Sequence, residues 1–196
     1  MTTAEAESDA DLVRRARAGE QRAFSLLMGR HKHWLYRFIR RYVGDADEAY
    51  DVLQDAFVSA MSNLARYDPT RPFEAWLRRI ALNKCRDRAG REAVRRAFGL
   101  SKRGPEETEA VADPTAGVDQ TLTAGHALKA LDQAIASLPA ALKEPLVLTV
   151  LEGLSQKDAG AILGISAKAV EVRVYRAKRQ LAEILDREAM EDLIET

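Results

Sequence analysis

Residues 155–181 read SQKDAGAILGISAKAVEVRVYRAKRQL. Ser155 followed three positions later by Asp158 is a helix-start signature, the acidic relative of the capping box. The helix it opens is short, because Gly164 is placed for the left-handed position that ends such a helix. Ser166 caps the next one. Gly160, four before the turn glycine, is small enough to let the two helices approach. Val170, six after it, falls where the second helix packs on the first. Helix, tight glycine turn and helix form the plan in which the second helix enters the DNA major groove.

That second helix has two apolar stripes where a core-facing helix needs one. Val170, Val174, Ala177 and Leu181 recur at i, i+4, i+7 and i+11, the spacing of one buried face. Lys168, Val172, Tyr175 and Arg179 repeat the same spacing on another face, flanked by Glu171 and Arg176, with Arg173 and Lys178 nearby. A valine and a tyrosine set among cations fit a duplex groove. Apolar groups touch thymine methyls or sugar edges, arginine pairs with guanine or phosphate, and Glu171 accepts from a cytosine amino group. The competing reading places Val172 and Tyr175 in a small core or on a protein partner.

The rest of the chain sets the bounds. It has 196 residues, room for one or two small domains, and 31% charged against 46% hydrophobic residues, an ordinary soluble composition. Lys plus Arg equals Asp plus Glu, 30 against 30, so net charge names no partner. No apolar run approaches the roughly 20 residues of a membrane span, so no membrane insertion is expected. The start, MTTAEAESDADL, is too acidic for a signal peptide. The single cysteine, Cys85, forms no intramolecular disulfide and no zinc cluster. These features fit a reducing cytoplasm.

Helical periodicity fills residues 10–100. Leu12, Ala16, Ala23, Leu26 and Leu27 start the apolar faces, and Trp34, Leu35, Phe38, Ile39 and Tyr42 continue them. After a break at Gly44-Asp45, Ala49, Val52, Leu53, Ala56, Phe57, Ala60, Met61 and Leu64 stand at helical spacing. DPTRP (68–72) reads as a turn. Phe73, Leu77, Ile80 and Ala81 then share a face of the next helix. Residues 101–123 hold two Pro, two Gly and no aromatic residue, a linker composition. Periodicity resumes with Ala127, Leu128, Leu131, Ile135 and Leu138, and Pro139 and Pro145 each suit a first helical turn. A further helix ends at Gly153. Period-two alternation is absent, so the fold class is all-α: two small helical domains, 10–100 and 124–187, joined by the flexible linker 101–123, the second a helix-turn-helix.

The first domain has a basic zone of its own. Between Arg71 and Arg103 eleven Lys and Arg face three acids, Glu74, Asp87 and Glu92, a net of +8 suited to phosphate. Trp76 and Asn83, two helical turns apart, share a face. An aromatic ring beside an amide and arginines suits an unpaired base; the competing reading makes Trp76 core and Asn83 a surface amide. The preceding helix is acidic, with Asp45, Asp47, Glu48, Asp51 and Asp55. Asp51 and Asp55 at i, i+4 raise a metal site, but no His or Cys converges on them, and a solvated or protein-binding face is the stronger reading. His31 and His33 point apart. With no nucleophile–base pair and no phosphate-binding glycine loop, neither catalysis nor a cofactor is expected.

The combination resembles the extracytoplasmic-function (group IV) sigma factors of the sigma-70 family of bacterial RNA polymerase, over nearly the whole chain. DEAYDVLQDAFVSAMSNLARYDP (47–69) looks like the helix of regions 2.1–2.2, which docks on the clamp of the largest polymerase subunit, and the resemblance puts Asp51, Gln54 and Asp55 at that interface. FEAWLRRIALNKCRDRAGR (73–91) looks like regions 2.3–2.4, keeping Phe73, Trp76, Leu77, Ile80, Ala81, Asn83, Asp87 and Arg88. By resemblance this helix opens and reads the −10 element, with Trp76, Arg79, Asn83, Lys84 and Arg88 as candidate contacts. LPAALKEPLVLTVLEGLSQKDAGAILGISAKAVEVRVYRAKRQL (138–181) looks like region 4, which sits on the flap of the second-largest subunit. Region 4 reads the −35 element, here through Lys168, Glu171, Val172, Arg173, Tyr175, Arg176 and Arg179. The linker replaces region 3. The family also implies an anti-sigma factor as partner.

Two departures stand out. Asp158-Ala159-Gly160 replaces an acidic-Ile-Ala sequence, at a helix-propensity cost of roughly 1 kcal/mol for glycine against alanine. Glu171 and Val172 replace polar or basic residues, so the −35 sequence read differs from the commonest one. The reading from a different class is a free-standing helix-turn-helix repressor or activator with a helical sensor lobe. It requires a dimer interface or ligand pocket in residues 10–100, and a palindromic duplex as target. A nucleic-acid enzyme using Asp51 and Asp55 is a distant third.

Overall fold

The computed structural model describes residues 7–98 and 130–194. The segment read as a linker, 101–123, lies outside them, as do Ala127 and Leu128. The described residues form helices and no strand. In chain order they are α1 (Asp9–Arg17), α2 (Gln21–Val43), α3 (Ala46–Asn63), a 3₁₀ turn (Leu64–Arg66), α4 (Phe73–Ala97), α5 (130–137), α6 (Ala140–Leu146), α7 (Gln156–Leu163) and α8 (Ala167–Ile194).

The boundaries have local causes. Ser8 accepts from the Asp11 amide and caps α1, and Asp45 accepts from the Glu48 amide at 2.8 Å and caps α3. Gly44 ends α2 at φ 81°, a left-handed position open to glycine. Arg17 reaches from the end of α1 to the carbonyls of Leu64 (2.9 Å) and Ala65 (3.1 Å), tying off the 3₁₀ turn after α3.

α2 is the spine of the N-terminal half. Its Leu27, Leu35, Phe38 and Ile39 are at most 1% exposed, as are Ala49, Val52 and Ala56 of α3 and Leu77, Ala81 and Leu82 of α4. His31 does not pair with His33. Its Nε2 lies 2.8 Å from Asp9 of α1 and its Nδ1 accepts from Trp34 at 2.8 Å, so it is a satisfied core histidine. Two expected core positions face outward instead: Leu26 is 47% exposed and Met61 54%.

In the C-terminal half, Ile135, Leu138, Leu146, Val147, Leu148, Val170 and Ala177 bury against one another. Pro139 precedes the first turn of α6, as its fixed φ favours. Pro145 departs from the expectation, lying inside α6 rather than in a first turn. It cannot donate to the carbonyl one turn back. The helix widens immediately afterwards into a π-helical turn, Val147–Leu151, and the Thr149 hydroxyl donates to the Pro145 carbonyl at 2.8 Å.

Candidate nucleic-acid interface

The helix-turn-helix forms as the caps require. The Ser155 hydroxyl accepts from the Asp158 amide at 3.1 Å. Gly164 adopts φ 71° and closes α7, and the Ser166 hydroxyl accepts from the Ala169 amide at 3.1 Å. Gly160 is fully enclosed. A Cβ built on it stands 2.6 Å from the carbonyl oxygen of Ile165, whose amide donates back to the Gly160 carbonyl at 3.0 Å. The turn is therefore folded onto the glycine itself, and the propensity deficit of Gly160 is the cost of that close approach. Removing the first cap in Ser155→Ala is expected to destabilise the C-terminal half by about 1 kcal/mol, read as a lower melting temperature.

α8 divides its faces as the spacing implies. Val170, Ala177 and Leu181 are buried, and Val174 half-buried. Lys168, Glu171, Val172, Tyr175, Arg176 and Arg179 are exposed, Tyr175 by 64%, and Arg173 is half-buried beside them. The Lys168 ammonium lies 2.9 Å from the Glu171 carboxylate, and Arg179 lies 3.8 Å from Glu183. Arg176 has no ion pair among the described residues, which suits a phosphate contact. Arg176→Ala is expected to weaken binding to the −35 duplex about equally across sequences and to reduce the slope of log K against log salt by about 1.

The basic zone of α4 is largely neutralised in three dimensions, which its local count did not foresee. Arg78 meets Glu74 at 3.5 Å and Glu152 at 3.4 Å, and its guanidinium stacks 4.7 Å over the Trp34 ring. Arg86 pairs with Glu144, Arg88 with Glu48 (3.3 Å) and Asp51 (3.7 Å), and Arg91 with Asp55 (3.9 Å). Apart from Glu74, which the +8 already counts, these acids come from α3 and from residues 144–152, outside that stretch. Arg79 is exposed and Lys84 half-buried, and neither has an ion pair among the described residues. Trp76 is half-buried, 5.3 Å from the Tyr67 ring and 5.5 Å from Phe73. Asn83 is exposed, and its side-chain oxygen accepts from Arg86 at 3.3 Å. Arg88 faces the acidic helix rather than standing beside Asn83.

On α3, Asp51, Gln54 and Asp55 are all exposed. Among the described residues no cluster is suited to hold a metal ion. The same outward face carries apolar residues that went unassigned to any surface in the sequence: Tyr50 is 55% exposed, Val58 67% and Met61 54%. Tyr50, Gln54, Val58 and Met61 stand at i, i+4, i+8 and i+11, so the signal was present as a second stripe on an amphipathic helix. Large exposed apolar residues flanked by carboxylates mark a docking surface.

Comparison with known proteins decides between the two classes of reading. The sequence pattern of Sigma-70 region 2 matches residues 27–95, and that of Sigma-70 region 4 matches residues 128–181. The RNA polymerase sigma factor CnrH of Cupriavidus metallidurans is 39% identical over 182 residues, 92% of this chain and 95% of that protein. This chain belongs to the sigma-70 family of RNA polymerase sigma factors. The ECF RNA polymerase sigma factor SigM of Mycobacterium tuberculosis is 32% identical across 91% of this sigma factor and 85% of its own length. The solved structure of CnrH in complex with the cytosolic domain of CnrY superposes with a TM-score of 0.62 at 34% identity, covering 92% of this chain and 99% of that one. No described helix is long and apolar enough to cross a membrane.

Proposed function

We propose that this protein is an extracytoplasmic-function (group IV) sigma factor that binds core RNA polymerase in the cytoplasm and directs promoter-specific initiation. The observation that carries the proposal is the pairing of a Sigma-70 region 2 with a region 4 in one chain that is similar to named sigma factors along nearly their whole length. Residues 10–100 serve as region 2 and residues 124–187 as region 4, with 101–123 between them. Asp51, Gln54 and Asp55 dock on the clamp of the largest subunit, and region 4 rests on the flap of the second-largest.

Lys168, Glu171, Val172, Arg173, Tyr175, Arg176 and Arg179 read the −35 duplex, and Trp76, Arg79, Asn83 and Lys84 take the −10 element, while Arg88, expected there from the resemblance, pairs with Glu48 and Asp51 and braces α4 against α3. Region 4 anchors first. The aromatic–amide face of α4 then holds an unpaired base, so that binding energy favours the open strand. The protein supplies no chemistry of its own, and the polymerase performs nucleotidyl transfer. An anti-sigma factor holds the protein inactive; the complex of the relative CnrH with a cytosolic domain of another protein supports such a partner.

The test is run-off transcription from a promoter library, using core polymerase with and without the purified chain. Transcripts that depend on the chain and share −35 and −10 sequences are expected. Chain-independent transcription, with tight binding to a palindromic duplex in the absence of polymerase, belongs to a free-standing repressor or activator instead.

A further inference from the structure

α2 carries a charged face outside the surfaces assigned above to polymerase and promoter. Its 23 residues hold six Lys or Arg and no Asp or Glu. Two of these cations are engaged: Arg30 lies 2.5 Å from Asp9 and Arg41 3.4 Å from Glu152. The other four, Arg22, Lys32, Arg37 and Arg40, stand around the outward side with His33. Arg22, Lys32 and Arg37 are exposed, and none has an ion pair among the described residues. Glu20, near Arg22, is bonded to Arg15 instead. Arg40 is half-buried, and its Nη1 has no hydrogen-bond partner among the described residues.

A glycine lies in the middle of this face. Arg22, Gly29, His33, Tyr36 and Arg40 stand at i, i+7, i+11, i+14 and i+18, one row along the helix. Glycine is the poorest helix former short of proline, and no neighbour demands it here. A Cβ built on Gly29 meets nothing within 4 Å, unlike Gly160, where the turn closes on the helix. Bare backbone flanked by free cations lets a long anion lie close against the helix.

The kind of anion follows from what the face lacks. Protein interfaces have an apolar centre depleted of charge. α3 has one in Tyr50, Val58 and Met61, whereas α2 offers only Leu26 among its large exposed apolar side chains. A phosphodiester chain needs no such centre and is held by cations. Length then selects between duplex and single strand. The row from Arg22 to Arg40 runs about 27 Å at 1.5 Å per residue. A duplex winds its phosphates out of reach within half a turn, about 17 Å. An unpaired strand follows the whole row, as strands follow the charged tracks of single-strand sites.

We propose that the outward face of α2, centred on Gly29, is a sequence-independent track for the sugar–phosphate chain of single-stranded DNA. It rests on the sigma-factor reading only for the source of that strand, the one unpaired beside α4. Trp34 of α2, under the Arg78 guanidinium of α4, joins the two helices there. The track adds salt-dependent affinity for the open promoter and no base preference.

The first experiment uses the full chain without polymerase and a fluorescein-labelled single strand of mixed sequence, titrated by anisotropy from low salt upward. Three exposed cations are removed together, as Arg22→Gln, Lys32→Gln and Arg37→Gln. The slope of log K against log salt is expected to fall by about 2, at about 0.7 for each phosphate lost on a single strand. The slope for a duplex of the same sequence is expected to stay. Gly29→Gln is expected to lower single-strand affinity without lowering the melting temperature, because glutamine is the better helix former. No binding of the wild-type chain at low salt overturns the track. An unchanged single-strand slope in the triple variant, an equal fall for the duplex, or unchanged affinity in Gly29→Gln does so too. The second experiment titrates core polymerase with the triple variant. Unchanged polymerase affinity is expected, with a lower salt slope for open-complex formation. Weaker polymerase binding makes the face a protein surface and overturns the track. Failure of the wild-type chain to bind polymerase overturns the sigma reading alone and leaves the strand titrations to decide the track.

Discussion

Replacing Gly160 by valine is expected to abolish −35-dependent transcription while leaving the attachment of region 2 to polymerase in place. Helix propensity alone gives the opposite sign: glycine is the poorer helix former by roughly 0.4 kcal/mol against valine and by roughly 1 kcal/mol against alanine. Sterics decide the outcome. The first atom of any side chain at 160 meets the Ile165 carbonyl oxygen at 2.6 Å and the Ala167 nitrogen at 3.5 Å. Both belong to the backbone of the turn, which is fixed by the left-handed Gly164 and the Ser166 cap. Relief requires α8 to move off α7. Overpacking of this kind costs about 1–3 kcal/mol, with the branched valine at the upper end. That exceeds the propensity gain severalfold. The displaced helix carries Val172, Tyr175 and Arg176 with it. The checks are a thermal melt, which should fall, and run-off from a promoter whose activity depends on its −35 sequence, which should be lost. A melt raised by Gly160→Ala would show that propensity wins and that the turn is looser than described.

The second large effect belongs to α3. Val58→Asp is expected to weaken binding to core polymerase by roughly 30-fold or more without lowering the melting temperature. Val58 is 67% exposed in the free protein, so an aspartate there has water around it and costs little to fold. On the docking face proposed for α3, the same position is buried in the complex with Tyr50 and Met61. Losing the burial of a valine removes about 1.5–3 kcal/mol, and an unpaired carboxylate in its place adds a desolvation cost. The measurement is an equilibrium titration of labelled polymerase core with the variant and the wild type, beside a melt of each. Unchanged affinity would mean that the exposed stripe is incidental and that polymerase is held elsewhere.

These two sites also show which parts of the fold are legible in the sequence. The helix-turn-helix is legible because its determinants are local. Ser155, Gly164 and Ser166 each bond or bend within four residues of themselves, and the stripe Val170–Ala177–Leu181 is a periodicity on one helix. The crowding of Gly160 is half legible: a small residue is evident, but its contact with the Ile165 carbonyl emerges only when the turn is folded. The outward position of Leu26 was not legible, because it stands one step from the core residue Leu27 and periodicity does not resolve the edge of a face; that of Met61 was legible only through its spacing from Tyr50, Gln54 and Val58.

Charge was read least well. Counting along the chain makes residues 71–103 strongly basic, yet Arg78, Arg86, Arg88 and Arg91 are paired with acids of other elements. Pairs such as Arg86–Glu144, 58 residues apart, leave no trace in local composition. For the same reason the contact between the two halves was invisible in the sequence, which shows two periodic stretches and a polar segment but not that the stretches touch. Pro145 was misplaced because a proline is tolerated beyond a first turn when the helix widens after it, as it does at Val147–Leu151.

The central claim is that this chain joins core RNA polymerase. The most direct measurement is co-migration of the purified chain with bacterial core polymerase on size-exclusion chromatography. A stoichiometric complex is expected, which Val58→Asp disrupts and Gly160→Val does not. A chain that elutes alone at micromolar concentrations of both, while folded by circular dichroism, would contradict it.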